Sequence, residues 1–219
     1  MHNTVQNYKN IINLIKSNLE DQSNIKLPKI IAVSKTFQLE HIVPLIDYGH
    51  LDFGENKILE AIDKWTQTKL ENPNIKLHLI GKLQTNKVKL AIKIFDYIHS
   101  LDSEKLAKKI IDEEIKQNKK VKIFIQVNIG GEDQKSGIDK NQIYDFYNYC
   151  KKLNLNIIGL MCIPPINENS DKYFREIKIL NHKLNLHELS MGMSSDYLKA
   201  VENSSTYLRI GSSIFGNRI

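Results

Sequence analysis

The sequence predicts an α/β protein, a single (β/α)8 TIM barrel with one extra helix at the N-terminus. Short apolar stretches of strand length alternate with stretches of helical periodicity along the whole chain, which is typical of parallel strands joined by right-handed helical crossovers. The alternation gives eight strands, a number that favours a closed barrel over an open doubly wound sheet.

The first half of the chain supplies the N-terminal helix and four strand–helix pairs. Apolar residues recur at helical spacing within residues 1–22, and the polar residues between them exclude a signal peptide. Lys29–Ser34 is an apolar, β-branched run of strand length. The other predicted strands are Leu51–Phe53, Lys76–Ile80 and Tyr97–His99. The predicted helices are Leu39–Tyr48, Lys57–Lys69, Asn86–Phe95 and Glu104–Gln117.

The second half repeats the alternation. Its predicted strands are Val121–Asn128, Asn156–Leu160, Glu188–Leu189 and Thr206–Ile210. Its predicted helices are Asn141–Lys152, Asp171–Leu184 and Asp196–Glu202. The pair Glu188–Leu189 is too short to identify by pattern and is placed by the alternation alone. No long linker or low-complexity tract divides the 219 residues, so we predict one domain over residues 1–219.

Composition argues against several functional classes. The net charge is +6, but its lysines are scattered, and Arg175, Arg209 and Arg218 are the only arginines, so we expect no nucleic-acid partner. No apolar run approaches the length of a membrane span, and we expect a cytoplasmic protein without a membrane partner. Cys150 and Cys162 have neither disulfide nor zinc-site spacing, so we expect two buried, reduced thiols and no metal site.

Lys35 is the first candidate for chemistry, because it follows the apolar strand that begins at Lys29. In a barrel, residues at the carboxyl ends of the strands face the functional mouth. A desolvated lysine there has a lowered pKa, which frees its amine for attack on an aldehyde. A lysine that reaches from the strand end into water is the simpler alternative, and it prevails unless neighbouring loops point to a ligand.

The loops after the seventh and eighth predicted strands are those neighbours. Barrels often bind phosphate in these two loops, on backbone N–H groups and a short helix N-terminus. Here they read SMGMSSD and GSS: Ser194, Ser195 and Asp196 suit a helix N-cap, and Gly211 allows close approach of an anion. Each loop could be only a cap or a turn, but the two together favour a phosphate site.

Arg209 lies within the last predicted strand between apolar neighbours. A charged residue there needs a partner inside the barrel, either a ligand or an acidic residue of another strand. Because arginine is scarce in this chain, the position suggests that a guanidinium is specifically required.

The chain resembles the pyridoxal 5′-phosphate (PLP) homeostasis proteins, which are similar in fold to the N-terminal barrel of alanine racemase. The resemblance runs over nearly the whole length in seven ordered segments. They are IAVSKTF at 31–37, DFGEN at 52–56, IGKLQTNKVK at 80–89, IQVNIGGEDQKSGI at 125–138, GLMCIPP at 159–165, LSMGMSSD at 189–196 and RIGSSIFGNR at 209–218.

The resemblance implies a PLP site. It implies that Lys35 carries the cofactor as a covalent aldimine and that Asn56 lies near the ring. It places the phosphate on Ser194, Gly211 and Ser212, and it places Arg209 at the pyridine nitrogen. An arginine there leaves the ring nitrogen unprotonated, so the ring is a weaker electron sink than one that an aspartate protonates.

The sequence departs from the family pattern at two positions near the mouth. Lys82 stands where the family usually has histidine, and Lys57 where it usually has tyrosine. We expect both changes to alter only the finer contacts at the mouth and neither to touch the aldimine or the phosphate. Lys135, in the QKSGI segment, is a conceivable second PLP contact, although a solvated lysine is the simpler interpretation.

The sequence leaves three functions open. The favoured one is a non-catalytic PLP-binding protein that holds and delivers the cofactor in vitamin B6 homeostasis, with PLP-dependent apo-enzymes as possible partners and a monomeric state. A PLP-dependent amino-acid racemase is the alternative; related racemases take a second base from an additional β domain of a partner subunit, for which we expect no room before Ile219. A basic module that binds nucleic acid or anionic surfaces is disfavoured by the scattered lysines.

Overall fold

The computed structural model describes residues 2–19, 26–132, 134 and 136–216, which form an eight-stranded parallel barrel surrounded by helices. Helix α1 is Asn3–Leu19, and strand β1, Lys29–Val33, follows it. Next come α2 (Leu39–Asp47), β2 (Asp52–Glu55), α3 (Ile58–Glu71), β3 (Lys76–Leu79), a 3-10 turn at Thr85–Lys87, α4 (Val88–Ile94), β4 (Tyr97–Leu101) and α5 (Glu104–Gln117).

The second half begins with the longest strand, β5, at Lys122–Asn128. It continues with β6 (Ile138–Asp139), α6 (Ile143–Lys152), β7 (Ile157–Cys162), α7 (Ser170–Lys183), β8 (Glu188–Ser190), α8 (Tyr197–Glu202), β9 (Tyr207–Ile210) and α9 (Ser212–Phe215).

The barrel closes because the first and last of its strands pair with each other. Strand β1 lies parallel to β2 on one side and to β9 on the other, with Ile31 opposite Arg209. The remaining parallel pairs run from β2 through β3, β4, β5, β7 and β8 to β9. The predicted (β/α)8 barrel with an N-terminal helix is thus confirmed.

The structure adds two short elements that the sequence pattern did not predict. Strand β6 pairs in parallel with the end of β5 outside the closed ring, through Val127 opposite Ile138. Helix α9 is four residues long and follows β9 directly, where it lies against α1. Neither is long enough to show a helical or strand period.

The predicted strand ends were wrong by two residues at β2, β4 and β7, each of which extends further toward the mouth. In β2 the ladder continues through Gly54 and Glu55, which the apolar pattern excluded. Glu55 is buried there because three donors meet its carboxylate, so its charge does not end the strand.

Packing separates the barrel interior from the layer between barrel and helices. The larger core cluster joins the outward faces of the strands to the helices and includes Trp65, Phe95 and Phe174, all fully buried. A smaller buried cluster unites side chains from five different strands: Ile31, Tyr97, Phe124, Met161 and Tyr207. No helix among the described residues is long and apolar enough to cross a membrane.

Candidate functional site

A cavity of about 610 Å³ opens at the carboxyl ends of the strands. The six residues predicted to bind a cofactor all line it: Lys35, Asn56, Ser194, Arg209, Gly211 and Ser212. They come from the segments after β1, β2, β8 and β9 and from β9 itself. Barrel closure therefore brings together residues from distant parts of the chain. Functional sites of (β/α)8 barrels lie at this face.

Lys35 sits in a tight turn after β1. Thr36 has a left-handed backbone, with φ of 70°, and the Phe37 N–H donates to the Ser34 carbonyl at 3.2 Å. The Thr36 N–H donates to the Glu60 carboxylate at 2.6 Å. A left-handed backbone at a β-branched residue is costly and persists only where surrounding contacts fix it. Lys35 itself is half-buried at the cavity.

A buried ionic cluster lies directly beneath this turn. One oxygen of Glu55 accepts from the Ser34 hydroxyl at 2.7 Å, from Lys64 Nζ at 3.0 Å and from Trp65 Nε1 at 3.0 Å. Lys64 Nζ also donates to the Ser34 carbonyl at 2.9 Å. Two elements, β2 and α3, therefore hold the residue before Lys35 by both its side chain and its backbone. Glu55 lies within the DFGEN segment, where no pattern in the sequence indicates its role.

Asn56 offers an acceptor that nothing in the described protein meets. Its Oδ1 atom is buried and has no hydrogen-bond partner among the described residues. Gly81 packs against it so closely that a Cβ at position 81 would lie 2.4 Å from the Asn56 carbonyl oxygen. A buried acceptor without a donor marks a place where a ligand or bound water is expected.

The loops after β8 and β9 are joined to each other. The Ser213 N–H donates to the Ser194 hydroxyl at 3.3 Å, which brings the two predicted phosphate loops to one side of the cavity. Gly211 lies against β1, where an added Cβ would lie 3.2 Å from the Val33 carbonyl oxygen. Hydroxyls and first-turn amides assembled in this way suit a phosphate group.

Asp196 occupies the N-cap position of helix α8, within the loop segment predicted to supply a cap. The Asp196 carboxylate makes no cap bond to helix α8; it accepts instead from the Met193 N–H at 2.7 Å, three residues earlier. The side chain thus closes the loop on itself instead of capping the helix.

Arg209 is buried in the cavity wall with 4% of its surface exposed. Its Nη1 donates to the Ser190 hydroxyl at 2.7 Å and its Nη2 to the Cys162 carbonyl at 2.9 Å. Burial lowers the pKa of the guanidinium, and the neighbouring Cys162 and Asp196 oppose that shift. No carboxylate of the described residues forms an ion pair with it, so the alternative of an acidic strand partner was wrong. A guanidinium has five N–H donors, so donors beyond those two bonds remain for a ligand.

The two departures from the family pattern lie beside this cavity. Lys57 and Lys82 are exposed and line a neighbouring cavity of about 440 Å³, to which Lys87 and Asn56 also contribute. Lys135 lies outside the described residues. Within those residues, no group of three His, Cys, Asp or Glu side chains could hold a metal ion.

Comparison with known proteins identifies the family. Residues 12–218 match the family model for the alanine racemase N-terminal domain. The chain is 37% identical over 200 residues to the pyridoxal phosphate homeostasis protein of Aquifex aeolicus, covering 87% of each. It is 33% identical over 211 residues to the human protein of the same name, covering 87% of this chain and 77% of that one.

Solved structures agree with this family assignment and with the barrel fold. PipY of Synechococcus elongatus PCC7942, determined with PLP bound, superposes with a TM-score of 0.81 at 32% identity, over 92% of this chain and all of PipY. A histidine racemase from Leuconostoc mesenteroides shares the fold, with a TM-score of 0.71 at 17% identity, over 99% of this chain and 57% of the racemase. This chain therefore belongs to the alanine racemase N-terminal domain family, and within it to the pyridoxal phosphate homeostasis proteins.

Proposed function

We propose that this protein binds PLP in the mouth cavity, tethers it through Lys35, and holds and delivers it as a non-catalytic part of PLP homeostasis. The observation that carries the proposal is the gathering of Lys35, Arg209 and the two joined loops around one cavity. The names of the relatives and the PLP bound to PipY support it.

The residues present fit the cofactor. The cavity volume falls within the roughly 300–1,000 Å³ of typical ligand sites. Ser194, Ser212 and the loop amides would hold the phosphate, and Arg209 would donate to the ring nitrogen. The unmet oxygen of Asn56 would face a donor beside the ring. These hydrogen-bond donors therefore suit an anionic phosphate and a neutral acceptor on the ring.

Tethering through Lys35 is a condensation. Lys35 would supply the neutral ε-amine and the cofactor its aldehyde, and joining them would release the aldehyde oxygen with the two amine hydrogens as water. Water can reverse the step, which suits a protein that must give its cofactor up again. The fixed turn around Lys35 would hold the amine at the cavity without a further catalytic residue.

Two features favour carriage over turnover. Among the described residues, the titratable side chains that line the cavity are Lys35 and Arg209. Racemisation needs a proton donor and a proton acceptor on opposite faces of the ring, and an arginine stays protonated. An arginine at the ring nitrogen also makes the cofactor a weak electron sink.

Cytoplasmic location, a monomeric state and transfer to apo-enzymes stay predictions.

A spectroscopic experiment tests the proposal. Purified protein with added PLP is expected to show an imine absorbance band, and borohydride reduction is expected to fix the cofactor on the peptide that contains Lys35. Lys35→Ala should abolish both signals. Lys57→Ala, which removes an exposed lysine beside the mouth, should leave both unchanged.

The outcomes are distinct. A band that survives Lys35→Ala contradicts the tether at that lysine. The same samples, incubated with single enantiomers of several amino acids, should lose optical purity no faster than with PLP alone. Turnover at an enzymatic rate of about 1 s⁻¹ or more would instead support the racemase alternative.

A further inference from the structure

A continuous line of hydrogen-bonded side chains runs through the barrel interior and ends at Arg209. The Asp52 carboxylate meets His78 Nε2 at 3.0 Å, and His78 Nδ1 meets His99 Nε2 at 3.0 Å. His99 Nδ1 meets the Ser190 hydroxyl at 2.8 Å, and that hydroxyl accepts from Arg209 at 2.7 Å. These five residues, from β2, β3, β4, β8 and β9, form what we name the polar relay.

The relay joins the two ends of the barrel. Asp52 opens β2 and lines a cavity of about 330 Å³ at the amino ends of the strands, beneath helix α1. Arg209 lines the mouth cavity at the opposite end. Between them, His78, His99 and Ser190 are fully buried, so no solvent competes for their hydrogen bonds.

The donors of the relay can be satisfied in one direction only. Arginine has no acceptor, so the Ser190 oxygen must accept from Arg209, and the Ser190 proton is then free to go to His99 Nδ1. His99 therefore carries its proton on Nε2 and donates to His78 Nδ1. His78 likewise carries its proton on Nε2 and donates to Asp52. Each hydrogen bond is thus donated in the direction that leads from the Arg209 guanidinium to the Asp52 carboxylate.

The charge states agree with this direction. Burial lowers the pKa of His78 and lowers the pKa of His99 well below its ordinary value, so both rings are neutral at physiological pH. Burial would raise the pKa of Asp52, but the hydrogen bond from His78 and nearby positive charges outweigh it and lower that pKa. A neutral ring with one proton is what the one-directional chain requires.

Aromatic contacts hold both rings in their planes. His78 stacks on Tyr97 with centroids 4.1 Å apart and planes 15° apart, and His99 stacks on Phe124 at 4.4 Å and 22°. These stacks oppose rotation of either ring out of its hydrogen bonds. The rings are therefore fixed in position, so a variant that removes an acceptor of the relay can change which nitrogens carry the protons without moving the rings.

We propose that His99 and Ser190 are positioning residues for Arg209, and that Asp52, through His78, sets the proton positions on which they depend. The Ser190 oxygen is a good acceptor for Arg209 because its own proton is committed to His99. The guanidinium is thereby held in one orientation, with its other N–H groups left for an acceptor on the ligand. This step rests on the proposed function, since it assigns the relay to recognition of an unprotonated ring nitrogen.

The relay is tested first without ligand, by ¹⁵N NMR of the histidine rings, assigned with single histidine variants. Wild-type protein is expected to show both His78 and His99 neutral and protonated on Nε2. Asp52→Ala removes the final acceptor, so the protons are expected to move to Nδ1 in part, at His99 as well as at His78. Asp52→Asn keeps an acceptor and should keep the wild-type pattern. Protonation of His99 on Nδ1 in wild type, or no response of His99 to Asp52→Ala, overturns the relay.

The link to ligand binding is tested by PLP titration. Ser190→Ala is expected to weaken PLP binding about tenfold, which corresponds to about 1.4 kcal/mol. The control is Ser205→Ala, another buried serine whose hydroxyl bonds only to backbone carbonyls and which does not line the cavity. Equal affinity of the two variants overturns the positioning role. Failure of the wild-type protein to bind PLP would contradict the proposed function, while the NMR pattern would still decide the relay.

Discussion

At the scale of the residue, the site depends on polar groups whose partners come from distant parts of the chain. Arg209 could be singled out in the sequence because a charge between apolar strand residues is conspicuous. Its partner Ser190 could not, because a serine at the end of a three-residue strand carries no periodic signal. No pattern in the sequence distinguishes His78 and His99, and only the barrel places their ring nitrogens 3.0 Å apart.

The two cysteines give a prediction at this scale. Both are fully buried, and burial raises the pKa of each thiol to about 12. Since the thiolate is the reactive form, at pH 8 only about one thiol in 10⁴ is ionised. We expect neither Cys150 nor Cys162 to react with a thiol reagent in the native protein at pH 8.

The measurement is a colorimetric thiol titration before and after denaturation. Both thiols should react at once in denaturant, and slow native reaction should follow the rate of unfolding, because the thiols become accessible only then. Rapid native reaction of Cys162, whose carbonyl accepts from Arg209, would mean that the wall behind Arg209 opens in solution.

At the scale of the element, the helices and strands were largely predictable because each is apolar on the face it buries. The β2 extension was not, since Glu55 interrupts the apolar pattern and is tolerated only because Lys64 and Trp65, on the next helix, meet its carboxylate. Strand β6 and helix α9 were missed because two and four residues are too few for a period.

The turn that carries Lys35 gives the prediction at this scale. Lys64→Met would leave the Glu55 carboxylate buried without its cation and would remove one of the two donors to the Ser34 carbonyl. Breaking a buried pair from one side costs about 3–5 kcal/mol. We expect a loss of that size in the free energy of unfolding by urea, and weaker PLP binding because the turn is no longer fixed.

Two comparisons separate this effect from a general loss of a lysine. Lys109→Met breaks a partly exposed pair with Glu113 within one helix and should cost clearly less than Lys64→Met, because solvent screens that pair. Adding Glu55→Gln to Lys64→Met should restore part of the stability, because an uncharged amide can still accept from Ser34 and Trp65. Equal costs for Lys64→Met and Lys109→Met would show that the cluster does not support the turn.

At the scale of the whole molecule, the mouth cavity exists only when the barrel is closed. The pairing of β1 with β9 places Lys35 near Arg209 and Gly211, and the joined loops after β8 and β9 face both. This arrangement of site residues could be predicted from the sequence, because the (β/α)8 fold prescribes where strand ends meet. The polar relay through the interior could not be predicted, because it depends on the register of five separate strands.

Because its contacts would come from four adjacent strands and span the β1–β9 pairing that closes the barrel, bound PLP should stabilise the closed barrel as a whole. A ligand that binds only the native state at a hundred times its Kd adds about 2.7 kcal/mol to the free energy of unfolding. For a chain of 219 residues, that corresponds to a rise in Tm of roughly 5–11 °C. We expect a rise of this size in thermal unfolding followed by circular dichroism.

Lys35→Ala should lose most of this rise in Tm and Lys57→Ala none, since Lys57 is exposed and does not line the mouth cavity. A rise of equal size with inorganic phosphate alone would show that the loops after β8 and β9 supply the stabilisation without a contribution from Lys35, and would contradict a cofactor that bridges the barrel.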